Sequence, residues 1–265
     1  MKVTSLGYRT DLMVRRLTGS LITEHASHLV VRTPANPGFW WGNFILVDGP
    51  ARRGDADRWA ATFADAFPRA AHLALGVDSG DGDAGDESEL TRLGVTVEVN
   101  SVLTATRLVP PTRPVTGAAI RPLVGDDDWA QAAQLRAVCH DDEEPSAEER
   151  LFIARAVTEE RRLCEAGGGI WFGAFVDGRL RSGAGLVGDG GELARYQNVE
   201  THPDFRRGGL ASAVVHGLGQ WGVRELGART LVIVADPDDQ AIRVYRALGF
   251  TDTEHQVQLQ RAPGQ

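Results

Sequence analysis

Cysteine is scarce: Cys139 and Cys164 are the only two in 265 residues. Two thiols build no disulfide framework, and their spacing fits no zinc pattern. The seven histidines show no HExxH or paired-ligand spacing, so no metal site is expected. No apolar run reaches membrane-spanning length. The first residues, MKVTSLGYRTDLMVRR, lack the apolar stretch of a signal peptide. The expectation is a soluble cytoplasmic protein with no membrane partner. Positive charge is also short, with a formal net charge of -8. Nucleic-acid binders usually carry a basic stripe or a high pI, so no nucleic-acid partner is expected. An acidic protein can still hold a basic pocket.

What is present is enough apolar content, 42%, for real cores, in a length that suits two ordinary domains. The proline-rich stretch TRLVPPTRPVTGAA, Thr106 to Ala119, reads as a linker. It places domains at 1–112 and 113–265.

The second half patterns clearly. Asp126, Asp127 and Asp128 precede a helical segment as an N-cap cluster. Ser146 and Glu149 have capping-box spacing before a helix to about Ala166, with Leu151, Phe152, Ala154, Val157 and Leu163 on or near one face. GGGIWFGAFVDGRLRSGAGLV is a hairpin pattern turning at Asp177-Gly178. ELARYQNVE is a further strand, and a helix follows to about Leu226. LVIVA (231–235) is a buried strand, Asp238 to Leu248 is helical, and a last strand covers about Thr253 to Leu259. Three meandering strands, then helix-strand-helix-strand, predict a mixed α+β sheet, mainly antiparallel.

In the first half, HLVVRT, NFILVDG and AHLALGV read as strands, Asp55 to Phe67 as a helix, and VTVEVNSVLTATRL as one long strand or a pair. Trp40 and Trp41 cannot share one face of a strand, so one is expected in the core and the other at an edge or interdomain seam, the alternative being a ligand-lining role. TRLGVTVEVNSVL (91–103) can be laid on RALGFTDTEHQVQ (246–258), which hints at two copies of one plan.

The stretch carrying chemistry is THPDFRRGGLASAVV, 201–215. A helix start leaves its first amides unpaired and adds partial positive charge. Gly208 and Gly209 remove the Cβ atoms that would hold a ligand off the backbone. Ala211 is small, and Arg206 and Arg207 add positive charge. Such a turn suits a phosphate. It is no dinucleotide fingerprint, for GxGxxG is absent, and no Walker motif, for no Lys-Ser/Thr follows.

Arg206-Arg207-Gly208-Gly209-Leu210-Ala211 resembles the Arg/Gln-x-x-Gly-x-Gly/Ala signature of the GNAT acyltransferase superfamily. The likeness extends upstream through VETHPDF (199–205), similar to the family's fourth strand and entry turn. Downstream, AIRVYRALGF (241–250) resembles its second signature. It departs at Asp238, where the family often has asparagine. The resemblance covers about Ala118 to Leu259. It implies a GNAT fold, in tandem if the first half is a degenerate copy, and acetyl-CoA as cosubstrate. It implies pantetheine contacts from the backbone of Val199 and Thr201, and pyrophosphate on the amides between Arg207 and Ala211. The implied reaction is direct acetyl transfer to an amine-bearing acceptor, a small molecule or a peptide, in a ternary complex. The alternative is a non-catalytic acyl-CoA-binding regulatory or protein-interaction module.

Tyr245 matches the family's tyrosine that protonates the departing sulfur. Glu200 is the candidate base if its strand bulges; Glu192 and His202 are weaker ones, and His216 reads as structural or exposed. Arg195 and Gln197 share a strand face that the resemblance turns toward the acceptor. His140 and Asp141, in an acidic loop after the first helix, are expected to line that cleft for a cation. Cys139-His140-Asp141 is not expected to be a nucleophilic triad, which is a matter of space and not of adjacency. The first half lacks the glycine signature and has Leu90 where Tyr245 would stand. A monomer or a homodimer is compatible with these features.

Overall fold

The computed structural model describes residues 1–140 and 145–264, the side chain of His140 excepted. The elements of the first stretch are α1 Leu6–Leu17, β1 Leu21–Glu24, β2 His28–Arg32, β3 Phe44–Val47, α2 Asp55–Ala66, β4 Leu73–Val77, α3 Glu87–Leu93 and β5 Thr96–Ala105. Then come β6 Ala118–Pro122, α4 Gly125–His140, α5 Ala147–Glu165, β7 Gly169–Val176, β8 Arg179–Val187 and β9 Leu193–Thr201. They are followed by α6 Leu210–Glu225, β10 Thr230–Ala235, α7 Ala241–Ala247 and β11 Thr251–Arg261. Two compact units result. One is Met1–Leu103 with Val234–Asp239 and Asp252–Gln265; the other is Thr104–Ile233 with Gln240–Thr251. The fold is α+β with largely antiparallel pairing. No described helix is long and apolar enough to cross a membrane.

In the first unit the strand order is β1-β2-β3-β4-β11-β5. β3 and β4 are parallel, joined by α2, and β11 lies antiparallel to β4 with Leu259 opposite Leu75. The strand pattern of 251–261 is visible in the sequence, but the sheet it joins is not: the sequence reading put it in the second domain. Trp40 and Trp41 sit in a short 3-10 turn, which releases them from strand alternation. Trp40 stacks on His72 at 5.2 Å, and Trp41 tilts against Phe44. The α1 helix was not expected from the sequence; its buried Tyr8 bonds the carbonyl of Val257.

In the second unit the order is β10-β9-β8-β7-β6. β10 and β9 are parallel, joined by α6, and the other pairs are antiparallel. The Asp177-Gly178 turn has both φ angles positive, 50° and 74°, which suits the twist of a two-residue hairpin. Leu186 of β8 lies under Gly222 of α6, while Gly183 faces Leu135 of α4. An odd separation along a strand means opposite faces, so α6 and α4 sandwich the sheet. The Ser146–Glu149 capping box forms in full, and Asp128 caps α4 by accepting from Val124 and pairing with Arg121. β6 was missed, being short, half-buried and proline-ended. The buried face of α5 is Ile153, Val157, Glu160 and Leu163, while Leu151 and Ala154 are exposed; the expected face was rotated.

Candidate functional site

β9 stands at the centre of the site. Its parallel ladder with β10 runs from Leu193↔Thr230 to Arg195↔Val232 and ends there. From Tyr196 to Thr201 the strand continues with its β10-facing edge open. On its other side β9 pairs with β8, but the register skips: Gly185 faces Gln197, and Gly183 faces Glu200. One β8 residue, Ala184, thus spans both Asn198 and Val199, which makes a β-bulge. Asn198 takes the left-handed conformation, φ 49°, that asparagine tolerates better than most residues. The extra residue returns Glu200 to the face of Arg195 and Gln197, the condition on which its candidacy depended.

After Thr201 the chain makes a short 3-10 turn, Pro203–Phe205. His202 caps it, accepting at Nδ1 from the Asp204 amide at 3.3 Å, with its ring edge-on to Phe205. Arg206 donates from Nε to the Thr201 carbonyl at 3.3 Å. Arg207 and Gly209 are left-handed, φ 63° and 83°, and α6 begins with no side-chain cap. The first carbonyl it engages is that of Gly209, from the amide of Ala213. Among the described residues, no carbonyl or side chain accepts from the amides of Arg207 through Ser212. Arg206, Arg207 and Gly208 are exposed. A row of such amides at the positive end of a helix of 16 residues, beside two arginines, fits an anion such as a pyrophosphate.

Tyr245, on α7, is buried and meets Phe250 edge-on at 6.4 Å. Phe250 in turn meets Tyr196 at 5.8 Å. Tyr196 is the first β9 residue beyond the ladder, so this aromatic chain brings Tyr245 to the place where β9 opens. The Tyr196 hydroxyl is committed to the Val215 carbonyl at 2.7 Å, and burial pushes its pKa up.

The face of β9 toward α4 and α5 is polar and buried. Arg136 donates from Nε to Glu200 at 2.8 Å and from NH1 to Glu160 at 2.7 Å. Asn198 donates to the same Glu160 Oε1 at 2.6 Å. Burial opposes the Arg136 charge, and the two carboxylates more than offset it, so the guanidinium is held protonated. Arg195 is buried on this strand, and Gln197 donates to the Tyr196 carbonyl. Burial, then the Glu200 charge, pushes the Cys139 thiol up, which disfavours a nucleophilic thiolate. Cys164 is pushed up to about 12 by burial.

Glu192 forms an exposed pair with Arg229 at the far end of β9. His216 lines a separate cavity of about 450 Å³ along α6, with its pKa lowered by burial. The expectations on Asp141 and on the side chain of His140 lie outside the described residues. Among the described residues no cluster of His, Cys, Asp and Glu could hold a metal.

Sequence reasoning missed Arg136, Glu160 and Asn198. One signal was available: Glu160 falls on the apolar stripe with Val157 and Leu163, where a charge is costly without a partner.

The first unit has the same crossover, β3-α2-β4, and α2 likewise starts after a left-handed glycine, Gly54, φ 90°. There the turn is filled. The buried Glu89, from α3, accepts from the Ala56 amide, and the amides of Ala56 and Gly54 hold its carboxyl below the usual carboxylate range.

Residues 129–250 match the Acetyltransferase (GNAT) family. A search of curated proteins finds no match to the sequence. Among solved structures, a GCN5-related N-acetyltransferase from Kribbella flavida has a TM-score of 0.70 at 16% identity, covering 99% of this chain and 97% of that one. A functionally unknown conserved protein from Staphylococcus epidermidis ATCC 12228 has a TM-score of 0.72 at 13% identity, covering 93% and 95%. A tandem GNAT protein from the clavulanic acid biosynthesis pathway has a TM-score of 0.55 at 18% identity, covering 90% and 83%. The short parallel β9–β10 ladder, the glycine turn and these likenesses identify the architecture as the GNAT fold.

Proposed function

We propose that the second unit binds acetyl-CoA and transfers its acetyl group directly to an amine-bearing acceptor, a small molecule or a peptide. The observation that carries this reading is the row of amides from Arg207 to Ser212 that have no acceptor among the described residues, next to the end of the β9–β10 ladder. Pyrophosphate would rest on the amides between Arg207 and Ala211, where Gly208 has no Cβ to hold it off. Backbone groups of Val199 and Thr201 would pair with the pantetheine arm. The first unit, read as a worn copy of the same plan, would bind none.

The chemistry asks for a neutral amine, a stabilised tetrahedral oxyanion and a protonated leaving thiolate. Tyr245 would supply the proton to sulfur from its phenol hydroxyl. Glu200 would take the ammonium proton, directly or through water. That carboxylate is also engaged by Arg136 at 2.8 Å, so holding the two substrates side by side would provide much of the rate.

The test is a thiol-release assay with acetyl-CoA across a broad panel of amines. Thiol release that depends on one class of amine is expected. Saturable acetyl-CoA binding with no release across the panel would replace catalysis by a binding module.

A further inference from the structure

We propose that Glu160 is a positioning residue, which clips the β9 bulge and the Glu200 carboxylate into a fixed relation to each other. This rests on the acyl-transfer reading above. The geometry carries it. Glu160 Oε1 receives two donors: Asn198 Nδ2 from the bulge at 2.6 Å, and Arg136 NH1 from α4 at 2.7 Å. Arg136 spends its Nε on Glu200 at 2.8 Å. One oxygen on α5 therefore ties two points of β9, two residues apart, directly and through a guanidinium.

The clip has something to hold. Asn198 is left-handed, a conformation that persists in a strand only where its surroundings enforce it. Val199, next to it, is the residue expected to meet pantetheine, and Glu200 shares the strand face of Arg195 and Gln197 that is expected to meet the acceptor. Slippage of the bulge by one residue would turn Glu200 to the other face of the strand.

The placement is also costly without that purpose. Glu160 is 9% exposed, on the apolar face of α5. Among the described residues its buried Oε2 has no hydrogen-bond partner. Two carboxylates, Glu160 and Glu200, share the Arg136 guanidinium. Burial pushes the Glu160 carboxyl up, and Arg136 pulls it back. A core position that served packing alone would be better filled by an apolar side chain.

Three variants of the full chain test this. Asn198→Gly keeps the left-handed backbone and removes the donor. Glu160→Ala removes the acceptor. Glu160→Gln keeps an oxygen for both bonds. Amide hydrogen exchange over residues 197–201 should be at least about tenfold faster in the first two and near wild type in the third. With the acceptor that gives the highest wild-type turnover, water included, kcat should fall about 10- to 100-fold in the first two. Glu160→Gln should restore most of it. Calorimetric affinity for acetyl-CoA should stay within about threefold, because its main anchor is the α6 turn. Unchanged exchange in folded variants overturns the clip. Faster exchange with unchanged kcat overturns its role in catalysis. If Glu160→Ala does not fold, Asn198→Gly decides alone. A wild-type chain that neither binds acetyl-CoA nor releases thiol removes the acyl-transfer reading, and the positioning role with it. Wild-type turnover that the variants leave intact removes the positioning role only.

Discussion

The Glu89 carboxylate accepts a 2.9 Å hydrogen bond from the amide of Ala56, in the first turn of α2. Ala56 stands two residues after left-handed Gly54, as Ala211 stands two residues after left-handed Gly209. In one unit the helix mouth is stoppered by the chain's own anion; in the other it is open. Titration calorimetry with acetyl-CoA should therefore give one site per chain. A stoichiometry of two would show that Glu89 yields to the cofactor, and would contradict this assignment.

The same carboxylate links the first unit to pH. Amides of Ala56 and Gly54 hold the Glu89 pKa below its ordinary 4.5. The folded state thus binds this proton less readily than the unfolded one. Its contribution is full above the ordinary value and is lost as pH falls through the folded value. Glu89→Gln should be less stable than wild type at pH 7, with a Tm gap that closes below about pH 4.5. A gap independent of pH down to 3 would mean that charge at Glu89 plays no part.

Gly209→Glu places a carboxylate where pyrophosphate is expected, and its Cβ would meet Val115 at 3.4 Å. Acetyl-CoA affinity should drop at least about 100-fold, since an anion site loses its field and its space. The left-handed backbone, φ 83°, adds roughly 1 kcal/mol of strain for any side chain. Gly227→Glu is the control. It has the same handedness, φ 68°, open space, and a place just past the far end of α6. It should cost similar stability and leave affinity unchanged. Equal loss of affinity in both variants would refute the glycine-turn site.

Tyr245→Phe removes one hydroxyl and keeps the ring that packs on Phe250. If that hydroxyl protonates the leaving sulfur, kcat should fall about 10- to 1000-fold while acetyl-CoA binding holds. Pre-steady-state measurements must first show that chemistry, and not product release, limits turnover. Wild-type kcat under those conditions would remove Tyr245 from the mechanism.

Features that depend on neighbours in sequence were legible before the structure. The Ser146–Glu149 box, the Asp177-Gly178 turn and the glycine turn each follow from local backbone chemistry. So did most strands whose apolar patterns fix their period. The β9 bulge was less so; Asn198 is a residue suited to it, but nothing adjacent demands it. The Arg136–Glu160–Asn198–Glu200 group joins three elements by tertiary contact, and no spacing rule spans it. Glu160 alone left a trace, as a charge on an apolar helix face. The partner of β11 was illegible for a related reason. Alternation says that a segment is a strand with one buried side, not whose edge it will meet.

That partnership bears on how the chain is made. The first unit runs continuously only to Leu103, yet β11, which closes the edge of β4, begins at Thr251. At about 5–20 residues per second, synthesis of the intervening stretch takes on the order of ten seconds. Throughout that interval β4, apolar and buried along its whole length in the finished fold, lacks the neighbour it will end with. An open edge of that kind recruits other strands, from a neighbouring nascent chain as readily as from its own. The order in which residues leave the ribosome thus makes the first unit, though translated first, the one that finishes late, and its yield the more sensitive to crowding by copies of itself.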